Sequence, residues 1–141
     1  MNVGLAVRVL VVDDSPSWRR FMAAQLREHT TFLVGMASDG LEAVQQTLTL
    51  KPEVIMMDIE MPRLNGLEAT REIGTFAPAT KILIVSNERD PAIVHAAFTA
   101  GARGYLLKSR AAIELPQALE AIARGELFVG RGVTQPGTDD A

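Results

Sequence analysis

Five side chains that could do chemistry stand where apolar runs of the sequence stop. Asp13 and Asp14 follow Val7–Val12, Asp58 follows Val54–Met57, Ser86 follows Ile82–Val85, and Lys108 ends the run from Arg103 to Leu107. A carboxylate at the lip of a buried strand does nothing for stability unless something pairs it, because desolvating a charge costs several kcal/mol. Three carboxylates within about 4–5 Å of one another would repel by roughly 3–4 kcal/mol per pair at an effective dielectric near 20. Such a cluster raises one pKa or recruits a cation. An oxygen-only ligand set without His or Cys suits Mg²⁺ or Mn²⁺, with water completing the shell. A divalent ion, a lysine and a hydroxyl beside a carboxylate are the parts of a phosphoryl-transfer site. Asp58 is the candidate nucleophile, since a carboxylate can form an aspartyl-phosphate. Taken singly, each residue has a plainer role: Asp58 as a loop or helix cap, Lys108 as a solvated charge, Ser86 as a turn former. The chemistry depends on whether the fold brings them together.

The elements that must do so alternate regularly. The apolar runs are Val7–Val12, Phe32–Ala37, Val54–Met57, Ile82–Val85 and Arg103–Leu107, each short enough for a strand covered on both faces. Between them lie helical stretches. The first opens at Asp13-Asp14-Ser15-Pro16, a capping group followed by proline, and should turn Trp18, Phe21, Met22, Gln25 and Leu26 inward. The second is capped by Ser38-Asp39-Gly40, with Ala43, Val44, Thr47 and Leu48 inward. The third carries Leu67, Thr70 and Ile73, the fourth starts at Asp90-Pro91, and the last is expected to start near Pro116 and stop at Gly125. Strand–helix alternation of this kind gives a five-stranded parallel sheet with helices on both faces. Ligands of such sheets bind beyond the carboxyl ends of the strands, where all five polar residues emerge. In the order 2-1-3-4-5 the first and third strands are neighbours, so Asp13, Asp14 and Asp58 would converge.

Length and composition set limits. The 141 residues suffice for about one domain. Apolar content of 48% and charged content of 22% are those of a globular protein, and a net charge of −3 is not a nucleic-acid footprint. There is no cysteine, hence no disulfide framework or thiolate metal site. The early apolar run is split by Arg8 and is too short for a signal peptide or a membrane span. A cytoplasmic location is expected.

Longer strings carry a family resemblance. Val-Val-Asp13-Asp14-Ser, Asp58-Ile-Glu-Met61-Pro62-Arg-Leu-Asn65-Gly66, Ser86, and Gly101-Ala-Arg-Gly104-Tyr105-Leu-Leu-Lys108-Ser109 together resemble the response-regulator receiver domain of two-component signalling, over residues 5 to 129. The resemblance implies a flavodoxin-like sheet of order 2-1-3-4-5. It implies Asp58 as phosphoacceptor, Asp14 as a direct Mg²⁺ ligand, Asp13 assisting through water, and the Glu60 backbone carbonyl as a further ligand. Lys108 would neutralise the phosphoryl oxygens, Ser86 would hydrogen-bond one of them, and Tyr105 would be the switch aromatic. It further implies a cis peptide at Lys108–Ser109, and tuning of phosphate loss by Glu60 and Glu88. A histidine kinase or phosphotransfer protein would donate the phosphoryl group. The fourth helix, fifth strand and fifth helix, including Ile93, Ala96, Ala97, Ala100, Tyr105 and Leu107, would form the face shown to a protein partner or to a second copy in a phosphorylation-dependent homodimer.

Ser86-Asn87 and the Gly-Tyr-Leu-Leu-Lys-Ser string resemble the NarL/FixJ branch, whose members usually add a helix-turn-helix. Here residues 130–141 are polar and glycine-containing, which is expected to make a disordered tail after a receiver at 1–129. A single-domain regulator is the expectation, neither an enzyme nor a direct DNA binder; the alternative is the receiver of a truncated transcription regulator. An Asp-dependent phosphohydrolase would resemble a first strand ending Asp-x-Asp, whereas Asp13 is followed by Asp14 and Ser15. A nucleotide-binding module would need a glycine-rich loop after the first strand, and none is present.

Overall fold

The computed structural model describes residues 7–29 and 31–135. In chain order the elements are β1 (Val7–Val12), α1 (Pro16–Arg27), β2 (Thr31–Ala37), α2 (Gly40–Leu50), β3 (Val54–Met57), α3 (Gly66–Phe76), β4 (Lys81–Ser86), α4 (Pro91–Ala100), β5 (Gly104–Leu107), a 3₁₀ turn (Lys108–Arg110), α5 (Ala111–Ala123) and β6 (Phe128–Val129). All strand pairs are parallel and the sheet order is β2-β1-β3-β4-β5-β6. This is the flavodoxin-like arrangement with one strand more than the five apolar runs predict.

Side chains of a strand alternate between faces, so each apolar run supplies two cores. Leu10, Val12, Ile55, Met57, Ile82 and Ile84 face α2, α3 and α4, where Ala43, Ala69, Ile73, Val94 and Ala97 meet them. Val9, Val11, Val54, Met56, Leu83 and Val85 face the other way, onto Met22 and Leu26 of α1 and Leu115, Leu119 and Ile122 of α5. The register pairs Val12 with Met57 and Ser86 with Leu107, so the chain leaves β1, β3, β4 and β5 at nearly one level. Among the described residues no helix is long and apolar enough to cross a membrane.

Several expectations need correction. The chain does not leave the domain at residue 130. The Gly130 N–H donates to the Tyr105 carbonyl at 2.9 Å, the Arg131 N–H donates to Glu114 Oε2 at 2.9 Å, and Val133 is buried in the core. Glu114 and the free edge of β5 give this segment polar partners that its own composition does not reveal; residues 136–141 lie outside those described. Helix α5 starts at Ala111, five residues before Pro116, which sits exposed within it. Burial of Ala111 and Leu115 from that earlier start offsets the hydrogen bond that the proline cannot donate. Phe21 and Leu48, expected inside, are 42% and 57% exposed. Phe21 rests instead against Trp18, with ring centroids 5.4 Å apart.

Two glycines of α3 separate a required hydrogen from a dispensable one. A Cβ on Gly66 would lie 2.1 Å from the Asp58 carbonyl oxygen, whereas a Cβ on Gly74 would meet nothing within 4 Å. Urea unfolding should show Gly66→Ala destabilised by about 1–3 kcal/mol or more, because backbone must shift. Gly74→Ala should be stabilised by about 0.4–1 kcal/mol.

Candidate functional site

The site forms where β1, β3, β4 and β5 end. Asp13 is anchored by its own N–H, which donates to the Ala37 carbonyl at 3.0 Å. Its Oδ1 accepts from the Ser15 N–H at 2.9 Å, and its side chain is only 1% exposed. Asp58 is set beside it by its N–H, which donates to the Val12 carbonyl at 3.2 Å, while Oδ1 accepts from the Ile59 N–H at 2.6 Å. Lys108, arriving from β5, places Nζ 2.7 Å from Asp13 Oδ2 and 3.0 Å from Asp58 Oδ2. One ammonium thus bridges two carboxylates from adjacent strands. The same ammonium lies over the Trp18 ring, 4.9 Å from Nζ to the centroid.

The electrostatics follow from burial and pairing. Burial pushes the Asp13 carboxyl above its ordinary value, against the opposing pull of Lys108 and the Ser15 N–H. Burial alone would lower the Lys108 pKa, but its bonds to Asp13 and Asp58 hold it above the usual lysine value. Both directions describe a buried acid made tolerable by one cation.

The loop carrying Asp58 into α3 is clamped from both sides. The Gly66 N–H donates to the Ile59 carbonyl at 2.7 Å, and the Gly40 N–H donates to the Leu64 carbonyl at 3.0 Å. Arg63, at a φ of 67°, places Nε 2.8 Å from Asp39 Oδ2. Asp39 therefore does more than cap α2, although it does that too, accepting from the Glu42 N–H at 2.9 Å. Burial opposes its charge, but the Glu42 N–H and the Arg63 guanidinium hold its carboxyl below the usual range. Sequence reasoning assigned Asp39 the cap alone, because a partner 24 residues away leaves no local signal.

Beside Asp58 opens a cavity of about 170 Å³ lined by Asp58, Glu60, Ser86, Asn87 and Glu88. At about 30 Å³ per water it has room for several. Ser86 is buried and its Oγ accepts from the Glu88 N–H at 3.1 Å. The Tyr105 hydroxyl donates to the Glu88 carbonyl at 2.8 Å. Burial, outweighing the Ser86 hydroxyl, pushes the tyrosine pKa up to about 12. Tyr105 already occupies an inward position, fully buried.

The structure thus brings Asp13, Asp58 and Lys108 into contact and sets Ser86 and Glu60 on the cavity beside Asp58. Asp14 is exposed, and among the described residues no three His, Cys, Asp or Glu side chains converge closely enough to hold a metal ion. Mg²⁺ does not require three: it usually keeps several waters and takes one or two carboxylates. Asp13 Oδ2 supports that fit, being buried and lacking a hydrogen-bond donor of good geometry apart from the ion pair to Lys108. The peptide Lys108–Ser109, expected to be cis, is trans, and no described peptide is cis. A non-proline cis bond costs about 2.5–4 kcal/mol, and Lys108 reaches both carboxylates from the trans backbone.

Residues 9–120 match the response regulator receiver domain family. The chain belongs to that family. It is similar to the uncharacterized transcriptional regulatory protein YxjL of Bacillus subtilis, at 39% identity over 85% of this chain and 56% of that protein. It is 42% identical, over 82% of its length, to a protein-glutamate methylesterase/protein-glutamine glutaminase of Thermotoga maritima, of which it covers 36%. Among solved structures, the receiver domain of the putative response regulator NarL from Mycobacterium tuberculosis superposes with a TM-score of 0.82 at 32% identity, covering 86% of this chain and 98% of that one. The receiver spans about half the length of the transcriptional regulators it matches.

The raised Asp13 pKa sets a pH window. A carboxyl whose folded pKa lies above its unfolded value of 3.8 costs stability once ionised, so that cost is absent below pH 3.8 and grows as pH rises through the folded value. In chelator, Asp13→Asn should unfold about 2–5 °C higher than wild type at pH 7. The gain should shrink toward pH 4. Thermal unfolding across pH checks this; a gain that grows on acidification would contradict it.

Proposed function

We propose that this receiver accepts a phosphoryl group on Asp58 from the phosphohistidine of a histidine kinase or phosphotransfer protein. The observation that carries the reading is the Asp58 carboxylate itself, paired with Lys108 and opening onto a cavity whose wall includes the Ser86 hydroxyl. In the transfer an Asp58 carboxylate oxygen attacks phosphorus, the P–N bond breaks, and its electron pair stays on the imidazole. The product is an acyl phosphate at Asp58. Lys108 compensates charge on the transferred oxygens, and Ser86 donates a hydrogen bond to one of them. Mg²⁺, held by Asp14, Asp58 and the Glu60 carbonyl with Asp13 assisting through water, would supply the remaining charge compensation. Lys108 must then share the position it holds between Asp13 and Asp58.

The output is a switch rather than a turnover. The new group brings charge and three acceptor oxygens, and the Ser86–Glu88 loop is where their pull is felt. Ser86 Oγ holds the Glu88 N–H and Tyr105 holds the Glu88 carbonyl, so displacement of Ser86 is transmitted to Tyr105. The phosphoryl group biases two pre-existing arrangements of this loop. The responsive face is α4, β5 and α5, but Ala97, Tyr105 and Leu107 are buried within it. The strand edge there is covered by β6 and the segment through Val133. A partner, or a second copy, therefore meets the exposed side chains of α4 and α5 and this covering segment. A second reading rests on coverage: the match takes in only 56% and 57% of two transcriptional regulators, so this receiver serves either as a stand-alone unit or as the input of a longer regulator. The cytoplasm is the compartment this function requires.

Incubation with acetyl phosphate and Mg²⁺ followed by intact mass should show one added phosphoryl group, absent in Asp58→Asn. Wild type without an adduct would overturn the reading. Lys108→Ala should retain the acceptor but incorporate phosphoryl at least tenfold more slowly, the scale on which losing one charge-stabilising donor acts.

A further inference from the structure

We propose that Trp18 is a positioning residue for phosphoryl transfer, holding the Lys108 ammonium at the acceptor through the face of its indole ring. This rests on the reading of Asp58 as phosphoacceptor. Lys108 Nζ lies 4.9 Å from the Trp18 ring centroid while it is 2.7 Å from Asp13 and 3.0 Å from Asp58. Within about 6 Å of the centroid an ammonium is attracted by the negative face of the ring, most strongly for Trp. The site's cation is therefore held by two carboxylates and one aromatic face.

The arrangement has a consequence for the reaction. Both carboxylates that hold Lys108 change partners during transfer: Asp58 loses charge as its oxygen bonds to phosphorus, and Asp13 is the buried acid that a divalent ion would compete for. The indole face is the contact that neither event alters. It keeps a flexible four-carbon side chain from leaving the site when its carboxylate partners are engaged elsewhere. Trp18 is itself well fixed for the task. Its backbone N–H donates to the Ser15 Oγ cap at 3.2 Å, the Phe21 ring packs with centroids 5.4 Å apart, and the indole is half-buried against the core between α1, the sheet and α5. A purely packing role at this position would be served by any apolar side chain and would not depend on Lys108. That difference makes the assignment testable.

The test combines rates with a spectroscopic signal. Trp18 is the single tryptophan of the chain, so its emission reports the ammonium contact directly. Lys108→Met should change the Trp18 emission intensity or maximum in unmodified protein, whether or not phosphodonor is present. Initial rates of phosphoryl incorporation from acetyl phosphate should fall in the order wild type, Trp18→Phe, Trp18→Leu, with Trp18→Leu slower by about two- to tenfold. In the Lys108→Met background the Trp18 substitutions should have no further effect, which is the signature of one coupled pair. Thermal unfolding identifies any variant that fails to fold, and Trp18→Phe together with the emission arm decides the case if Trp18→Leu does. Unchanged emission in Lys108→Met, or an equal loss from Trp18→Leu with and without Lys108, would overturn the assignment alone. A wild-type chain that gains no phosphoryl group would overturn the phosphoacceptor reading as well.

Discussion

The Lys108 ammonium lies between the carboxylates of Asp13 and Asp58, and the carboxyl end of the sheet is organised around that contact. Two acids from neighbouring strands, one of them buried, repel by several kcal/mol at the dielectric of a protein interior. A single lysine from β5 relieves both. The arrangement is stable yet not closed, since an ion pair can exchange one partner for another far more readily than a packed core can. A structural pair would have been served as well by apolar side chains. Keeping two acids and a lysine here makes sense where charge is to be added, moved and removed.

Everything that brings the three together is backbone and apolar packing. The register of β1 with β3 sets Asp13 beside Asp58, and β5, two strands further along the sheet, delivers Lys108 from the same end. Gly66 lets α3 begin against the Asp58 carbonyl, and Gly40 lets α2 touch the loop from the other side. Asp39 then ties Arg63 across. The loop carrying the acceptor is fixed at its base and at its middle, leaving the cavity beside Asp58 as the place where a ligand can be received. On the far side, Glu88 joins Ser86 to Tyr105 through both its backbone groups. Two hydrogen bonds thus connect Ser86, on the cavity wall, to the buried Tyr105.

The sheet and the site were legible to different degrees. Short apolar runs bounded by turn residues and alternating with helical stretches read as strands buried on both faces, so β1, β3, β4 and β5 were readable, and with them the positions of Asp13, Asp58, Ser86 and Lys108. What escaped was non-local. Strand β6 has only Phe128 and Val129 and owes its existence to a free edge of β5. The start of α5 was hidden by Pro116, because a proline reads as a helix start unless burial of Ala111 and Leu115 is known to favour an earlier one. Trp18 looked like one more inward residue of an amphipathic helix, and nothing in its neighbours reveals that Lys108 comes to rest on its ring. The Asp39–Arg63 pair was missed for the same reason. Outward placement of Phe21 and Leu48 shows the limit of helical periodicity: it finds the apolar stripe but not its width.

The central claim is that Asp58 is the residue that carries the phosphoryl group. An acyl phosphate is cleaved by hydroxylamine, which releases phosphate and leaves a hydroxamate on the carboxyl that bore it. Treating the phosphodonor-exposed chain with hydroxylamine and mapping its peptides by mass should place one hydroxamate, at Asp58. A hydroxamate at Asp13, Asp14 or Glu60, or none at any acid, would contradict the account.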